Sequence, residues 1–159
     1  MNPDPAAAQA PQNVTDASVG IVVSDWHSEI TSALLEETIR TLQQCGVEQE
    51  DIYVAHVPSV MGLTFAARQM SMVQEPSAVI MLGCATQADD QLYACISQSV
   101  THGYTELNLH SEIPYIFGVL LTPTLAEAET MSRGDGNKGT ESAITAIRMV
   151  NMMANLVSC

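Results

Sequence analysis

The sequence predicts a single α/β domain: a three-layer α/β/α sandwich around a four-stranded parallel sheet. Two observations carry this. Apolar, β-branched runs alternate along the chain with longer segments of helical period. The runs are also nearly continuous rather than alternating, as expected of parallel strands buried on both faces. Alternating β and α segments imply right-handed crossovers that place helices on both sides of the sheet.

The strands are expected at Val19–Ser24, Ile52–Val57, Ala78–Gly83 and Tyr115–Leu121. After the first, Ile30, Leu34, Thr38 and Leu42 form a helical stripe that Leu35 and Ile39 widen. Glu36 and Arg40 are spaced for an i,i+4 ion pair on its exposed side, and Gly46 ends the helix. Ser59–Gln74, containing Phe65, Ala66, Met70 and Met72, reads as a second helix, and Asp90–Leu109 as a third. Thr124–Met131 is a short fourth. The last helix runs from Lys138 to about Val157, with Ile144, Ile147, Val150, Met153 and Ala154 inward. Residues 1–17 begin Pro/Ala-rich and are expected to be a disordered arm; residues 18–159 form the domain.

Composition narrows the function classes. At 159 residues and 47% hydrophobic content, the chain can bury a full core. No apolar run reaches the ~18 residues that a membrane helix needs. The beginning lacks the features of a secretory or transit peptide, so a cytoplasmic protein is expected. The four cysteines have no CxxC spacing, which argues against a zinc site or a disulfide framework and for small core residues. Net charge is −13, and the cations are Arg40, Arg68, Arg133, Lys138 and Arg148. Nucleic acid and anionic membranes are therefore poor partners, since both require clustered cations.

In parallel α/β sandwiches ligands bind beyond the carboxyl ends of the strands. That directs attention to Asp25–Ser28, Pro58–Thr64, Cys84–Tyr93 and Leu121–Thr124. Several of these stretches resemble one family. Val19-Gly20-Ile21-Val22-Val23-Ser24 followed by Trp26-His27-Ser28-Glu29-Ile30-Thr31 resembles the first strand and loop of the 6,7-dimethyl-8-ribityllumazine synthases. Gly46–Ile52, Ala78–Cys84, Ile113–Leu120 with Thr122 and Thr124, and Gly136-Asn137-Lys138-Gly139 before Glu141-Ser142-Ala143 resemble later segments in the same order.

The resemblance implies a flavodoxin-like sandwich with strand order 2-1-3-4. It implies a homo-oligomer, a pentamer or a multiple of pentamers up to an icosahedral shell, with sites between adjacent subunits. It also implies a planar heteroaromatic ligand, and no metal or organic cofactor. The family condenses 5-amino-6-ribitylaminouracil with 3,4-dihydroxy-2-butanone 4-phosphate. By this resemblance Trp26 takes the aromatic stacking position, Phe117 the strand-four aromatic that enters the neighbour's pocket, and Lys138 the lysine that approaches the ring. Ser59, Val60, Met61, Ala85, Thr86 and Asp89 fall on the remaining substrate-binding positions.

The chain departs from the family pattern at chemically important places. Gly62 stands where the family has a glutamate, and Met61 where it has an aromatic residue. Ala88-Asp89-Asp90 occupies the phosphate loop, and Leu92 the position of the proton-transferring histidine. The phosphate-pairing arginine falls on Thr130, with Arg133 nearby. Two aspartates repel a phosphate dianion. A leucine carries no proton, and losing a general acid or base typically costs ~10²–10⁴ in rate. His27, Asp90 and Tyr93 are the candidate catalytic groups, and His56 stands ahead of the second loop.

Read this way, the sequence points to a divergent lumazine synthase-like enzyme. Its aromatic pocket would be inherited and its amine–carbonyl condensation altered toward a non-phosphorylated substrate. The alternatives are a non-catalytic shell or flavin/lumazine-binding scaffold, and an ordinary lumazine synthase of riboflavin biosynthesis.

Overall fold

In the computed structural model, residues 13–14, 16–88 and 91–159 are described. The elements are β1 (Val19–Ser24), α1 (Ser28–Gln44), β2 (Ile52–Val57), α2 (Leu63–Gln74), β3 (Ala78–Thr86), α3 (Tyr93–Leu109), β4 (Tyr115–Thr122), α4 (Leu125–Ser132) and α5 (Lys138–Val157). The sheet order is β2-β1-β3-β4 and every pairing is parallel. This is the flavodoxin-like order expected from the sequence.

Register explains where the loops go. Val19 lies beside both Ile52 and Ala78, and Ser24 beside Val57, so β1 and β2 end level. Strand β3 runs further than its β-branched run suggests. Cys84, Ala85 and Thr86 continue pairing with Leu120, Leu121 and Thr122 of β4. Small and polar residues carry this extension, so hydropathy underestimates it.

Each face of the sheet has its own core. Ile21, Val23, Ile80 and Leu82 pack with Ile30, Leu34 and Ile147 on the side of α1 and α5. Val22, Val79, Met81 and Val119 pack with Leu63, Ala67 and Val100 on the side of α2 and α3. Fully burying a side chain such as Leu34 or Leu63 contributes about 1.5–3 kcal/mol. The sheet is therefore a rigid platform for the loops at its carboxyl end.

Several expectations need correction. Helix α2 begins at Leu63 rather than Ser59, because Val60–Gly62 forms a 3₁₀ turn first. Helix α3 begins at Tyr93, and the expected start at Asp90 lies outside the described residues. Arg40 pairs with Glu37, one residue from the Glu36 expected; both spacings are geometrically open to it. In α5 the buried positions are Gly139, Ser142, Ala143, Ala146 and Ile147, while Ala154 is exposed. Small residues, not large ones, let α5 approach its neighbours. Two cysteines, Cys45 and Cys84, are buried, but Cys95 and Cys159 are exposed.

Residues 1–12 and Thr15 of the expected arm lie outside the described residues. Val14 and Ala17 belong to the core, and the Val14 N–H donates to Cys45 O at 3.0 Å. Among the described residues no helix is long and apolar enough to cross a membrane.

Candidate functional site

The loop after β1 is built around a reversal of the backbone. Asp25 N–H donates to Val57 O at 2.8 Å, holding the loop against β2. Trp26 N–H donates to Ser24 Oγ at 3.3 Å. His27 then adopts a left-handed conformation, φ 56°, immediately before α1. Such a conformation is uncommon for a residue with a side chain. Its carbonyl accepts from Ile30 N and Thr31 N, so the turn leads directly into the helix. The consequence is an indole that does not enter the core: Trp26 is 57% exposed. Its ring meets the His27 imidazole edge-on at 5.6 Å.

A cavity of about 280 Å³ opens beside this loop, bordered by Asp25, Trp26, His27, Glu29, Leu125 and Glu129. An exposed indole offers a planar ring both stacking and apolar burial. The carboxylates around it favour a neutral or cationic ligand over an anion. Leu125 and Glu129 were not expected here. Their signal was the start of a helix directly after β4, at the same end of the sheet as Trp26.

The second loop behaves differently from expectation. Val60 is buried in the core on the α2 side. It fits because Gly83 has no side chain: a Cβ there would stand 2.9 Å from Val60 Cγ1. Val60 is thus an anchor, and the loop presents the exposed Met61 side chain and the half-buried Ser59. Ala85 and Thr86 are also buried, as the last residues of β3. Beyond them Gln87 N–H donates to Thr122 O at 3.0 Å and Ala88 N–H to Pro123 O at 3.2 Å, tying this loop to the end of β4. Asp89 and Asp90 lie outside the described residues. Leu92 is 62% exposed at the start of α3. Tyr93 is half-buried and packs against the core.

Phe117 and Lys138 lie elsewhere. They border a separate cavity of about 190 Å³ with Tyr104, Asn108 and Glu141. Phe117 packs in a tilted contact on Tyr104 at 5.1 Å. Asn137 caps α5, its Oδ1 accepting from Thr140 N at 3.0 Å. Lys138 is therefore the first residue of a helix, where the dipole disfavours a cation. Glu141 offsets this with an ion pair, Nζ to Oε1 at 2.9 Å, and the Lys138 side chain is only 22% exposed. The chain thus groups its candidate residues in two places. Trp26, His27 and the loops after β2 and β3 cluster at the carboxyl end of the sheet, while Phe117 and Lys138 form a second cluster.

Among the described residues no group of His, Cys, Asp and Glu could hold a metal ion. Arg133 is exposed at the end of α4. Thr130 turns its hydroxyl back to Ala126 O at 3.0 Å. Sequence reasoning singled out His56 but missed its partner: Nδ1 lies 2.8 Å from Asp25 Oδ1. It also missed the Lys138–Glu141 pair, for which the i,i+3 spacing was the available signal.

Comparison with known proteins yields one consistent result. The family model for 6,7-dimethyl-8-ribityllumazine synthase matches residues 16–154. A protein of that name from Parabacteroides distasonis is 45% identical over 146 residues, covering 89% of this chain and 91% of the relative. Relatives of the same name from Porphyromonas gingivalis and Bacteroides fragilis are each 41% identical over 138 residues. They cover 86% of this chain and 86% and 96% of the relatives. The similarity favours the ordinary synthase over the altered chemistry expected first, for which none of these relatives speaks.

Proposed function

The chain belongs to the 6,7-dimethyl-8-ribityllumazine synthase family, and on that premise we propose that it performs the family's reaction in riboflavin biosynthesis. It condenses 5-amino-6-ribitylaminouracil with 3,4-dihydroxy-2-butanone 4-phosphate, in the cytoplasm and within a homo-oligomer. One observation supports this beyond the likeness itself. An exposed Trp26 and a Phe117–Lys138 cluster border separate cavities of one chain, as two halves of a composite site between subunits would.

The roles follow from the chemistry of each group. Trp26 stacks on the pyrimidine ring. Lys138, steadied by Glu141, and Phe117 approach that ring from the adjacent subunit. The amine attacks the ketone, water leaves to form an imine, and phosphate is then eliminated before ring closure. Each step moves protons, and Leu92 moves none. Tyr93 and Asp90 neighbour Leu92 in sequence, and His27 follows Trp26; these are the proton-carrying candidates. With the acid–base contribution of a histidine missing, turnover is at least ~100-fold below that of a typical member.

The test is to incubate the purified protein with both substrates and follow lumazine absorbance, with the Parabacteroides distasonis relative as a parallel control. Slow but protein-dependent lumazine formation supports the reading. None above the uncatalysed rate overturns it. Assembly is tested by mass photometry, where a pentamer or a multiple of pentamers is expected and a stable monomer at micromolar concentration refutes it.

A second reading is favoured by Leu92, Gly62 and the Asp89-Asp90 pair, which stand where the family has its histidine, its glutamate and its phosphate loop. In it the pocket takes an amine and a carbonyl partner without phosphate, or holds a flavin without turning anything over. Calorimetry with inorganic phosphate separates this reading from the first: measurable binding supports the ordinary reaction, and exclusion of phosphate supports the second.

A further inference from the structure

We propose that Asp135 is a site of spontaneous backbone modification. In the folded protein it closes a succinimide with the nitrogen of Gly136 and reopens in part as isoaspartate, just ahead of the helix that begins at Lys138. Asp135-Gly136 is the one Asp-Gly or Asn-Gly pair in the chain. It lies in the turn between α4 and α5, and both residues are exposed. The glycines on either side of Asp135 have positive φ, 74° at Gly134 and 72° at Gly136. A Cβ at either would meet nothing within 4 Å, so the turn stands clear of its neighbours there. Among the described residues no hydrogen bond engages the Gly136 N–H, and neither a hydrogen bond nor an ion pair engages the Asp135 carboxylate.

The chemistry is internal to the chain. The Gly136 nitrogen attacks the side-chain carboxyl carbon of Asp135. An N–C bond forms, a C–O bond breaks, and the departing hydroxyl takes the amide proton and leaves as water. The five-membered imide then takes up water at either carbonyl. Opening at the side-chain carbonyl restores aspartate. Opening at the main-chain carbonyl leaves the chain running through the former side chain, as isoaspartate. One water leaves and one returns, and nothing is oxidised or reduced. Glycine favours the attack, because no side chain screens its nitrogen and its backbone turns freely. The peptide must also rotate to bring nitrogen and carbon together, which an unpacked turn permits and a packed helix resists.

Two residues on, Asn137 could undergo the same reaction and is held out of it. It is buried, its Oδ1 accepts from Thr140 N at 3.0 Å, and its Nδ2 donates to Gly134 O at 2.9 Å. The nitrogen that would attack it belongs to Lys138, the first residue of α5. The fold thus separates two neighbouring side chains of similar chemistry. The bond from Asn137 to Gly134 spans Asp135. An extra methylene in the main chain there pulls on the cap of α5 and on the setting of Lys138. Any effect on the reaction rests on reading Lys138 as a site residue; the modification itself does not.

The experiment ages the assembled full chain at neutral pH and physiological temperature in water enriched in heavy oxygen, beside a sample unfolded in denaturant. After return to ordinary water, trypsin cuts behind Arg133 and Lys138 and releases the peptide from Gly134 to Lys138. Mass spectrometry is expected to find heavy oxygen on Asp135 in both samples. The two rates should lie within about tenfold of each other, as an opening free energy near zero requires. An isoaspartate methyltransferase should methylate the aged peptide, and Asn137 should keep its amide in the folded sample. Asp135→Glu should lose both signals, since its ring would need six members; the residue is exposed, so the variant should fold, and circular dichroism checks this. Ageing should lower Tm in the wild type and not in this variant. The proposal is overturned if the folded protein takes up no heavy oxygen at Asp135, or takes it up far more slowly than the unfolded chain. It is equally overturned if the signal persists in Asp135→Glu, and equal melts would remove the consequence for α5. A protein that forms no lumazine still gives this answer, so the two readings fail separately.

Discussion

Glu37 on α1 accepts a hydrogen bond from Asn137, the residue that caps α5, with Nδ2 to Oε2 at 3.4 Å. The same carboxylate accepts from Arg40. One side chain thereby joins the helix that starts at the Trp26 loop to the helix that starts at Lys138. The Arg40 guanidinium holds the Glu37 carboxyl below the usual glutamate range against the opposing effect of burial, with help from the Asn137 amide.

The sign of the resulting pH dependence is fixed. A carboxylate with a lowered folded pKa stabilises the protein above its unfolded pKa, and that contribution disappears as pH falls through the folded one. Glu37→Gln should therefore lower Tm at pH 7 by about 1–3 °C, the scale of a partly exposed pair. The difference between wild type and variant should close as the pH drops below the glutamate range. A gap that stays constant on acidification would show that the charge is irrelevant.

Leu92→His should raise the rate of lumazine formation by ~10²-fold or more, because it restores a general acid–base group. Leu92 is exposed at the start of α3, so the change leaves the core intact. The gain should appear in kcat with KM nearly unchanged. An equal rate for variant and wild type in steady-state kinetics would remove the proton-transfer account.

Trp26→Ala should weaken riboflavin binding about 3- to 10-fold, corresponding to the ~0.5–1.5 kcal/mol of an aromatic pair. Tm should hardly move, since the indole is exposed. Titration of flavin fluorescence checks the first outcome and a thermal melt the second. Unchanged affinity would return Trp26 to the status of a surface residue.

Gly139→Ala should destabilise the fold by ~1–3 kcal/mol through overpacking, a Tm loss on the order of 5 °C. A Cβ at Gly139 would run into the Leu34 carbonyl oxygen of α1 and stand 3.1 Å from Thr38 Oγ1. Backbone cannot move aside as a flexible side chain can. A melt identical to wild type would mean that α5 shifts at no cost.

Thiol reactivity should divide the cysteines. Cys95 and Cys159 are exposed and should react rapidly with an aromatic disulfide reagent. Cys45 and Cys84 are buried and should react only after unfolding, Cys45 the more so because burial pushes its thiol pKa up. Fast labelling of all four in native protein would contradict the core assignment.

The fold was legible because continuous runs such as Val19–Val23 and Ala78–Leu82 admit few alternatives to buried parallel strands. What hydropathy missed was structure made by small residues. Cys84–Thr86 extends β3 by pairing with β4, and Gly139, Ala143 and Ala146 seat α5. The candidate site was legible at Trp26, where an aromatic residue follows a strand in a loop. It was less so at Val60, Ala85 and Thr86, which face the core although their loops face the ligand end. Side-chain direction depends on where a strand stops and a 3₁₀ turn begins, and periodicity does not resolve that. The Asp25–His56 pair escaped because it joins residues 31 positions apart.

The crossing of α1 and α5 has a mechanical consequence. Thr38 Oγ1 reaches Leu34 O at 2.7 Å and Gly139 O at 3.2 Å, so one hydroxyl bridges the two helix backbones. The crossing lies ten residues into α1, ~15 Å along its axis from the Trp26 loop. In the proposed ring, Trp26 serves one interface and Lys138 the next. Helix α1 then acts as a strut of fixed length between consecutive sites. A shift of α1 at this point carries the start of α5 with it, because the Gly139 backbone lies directly against that of Leu34.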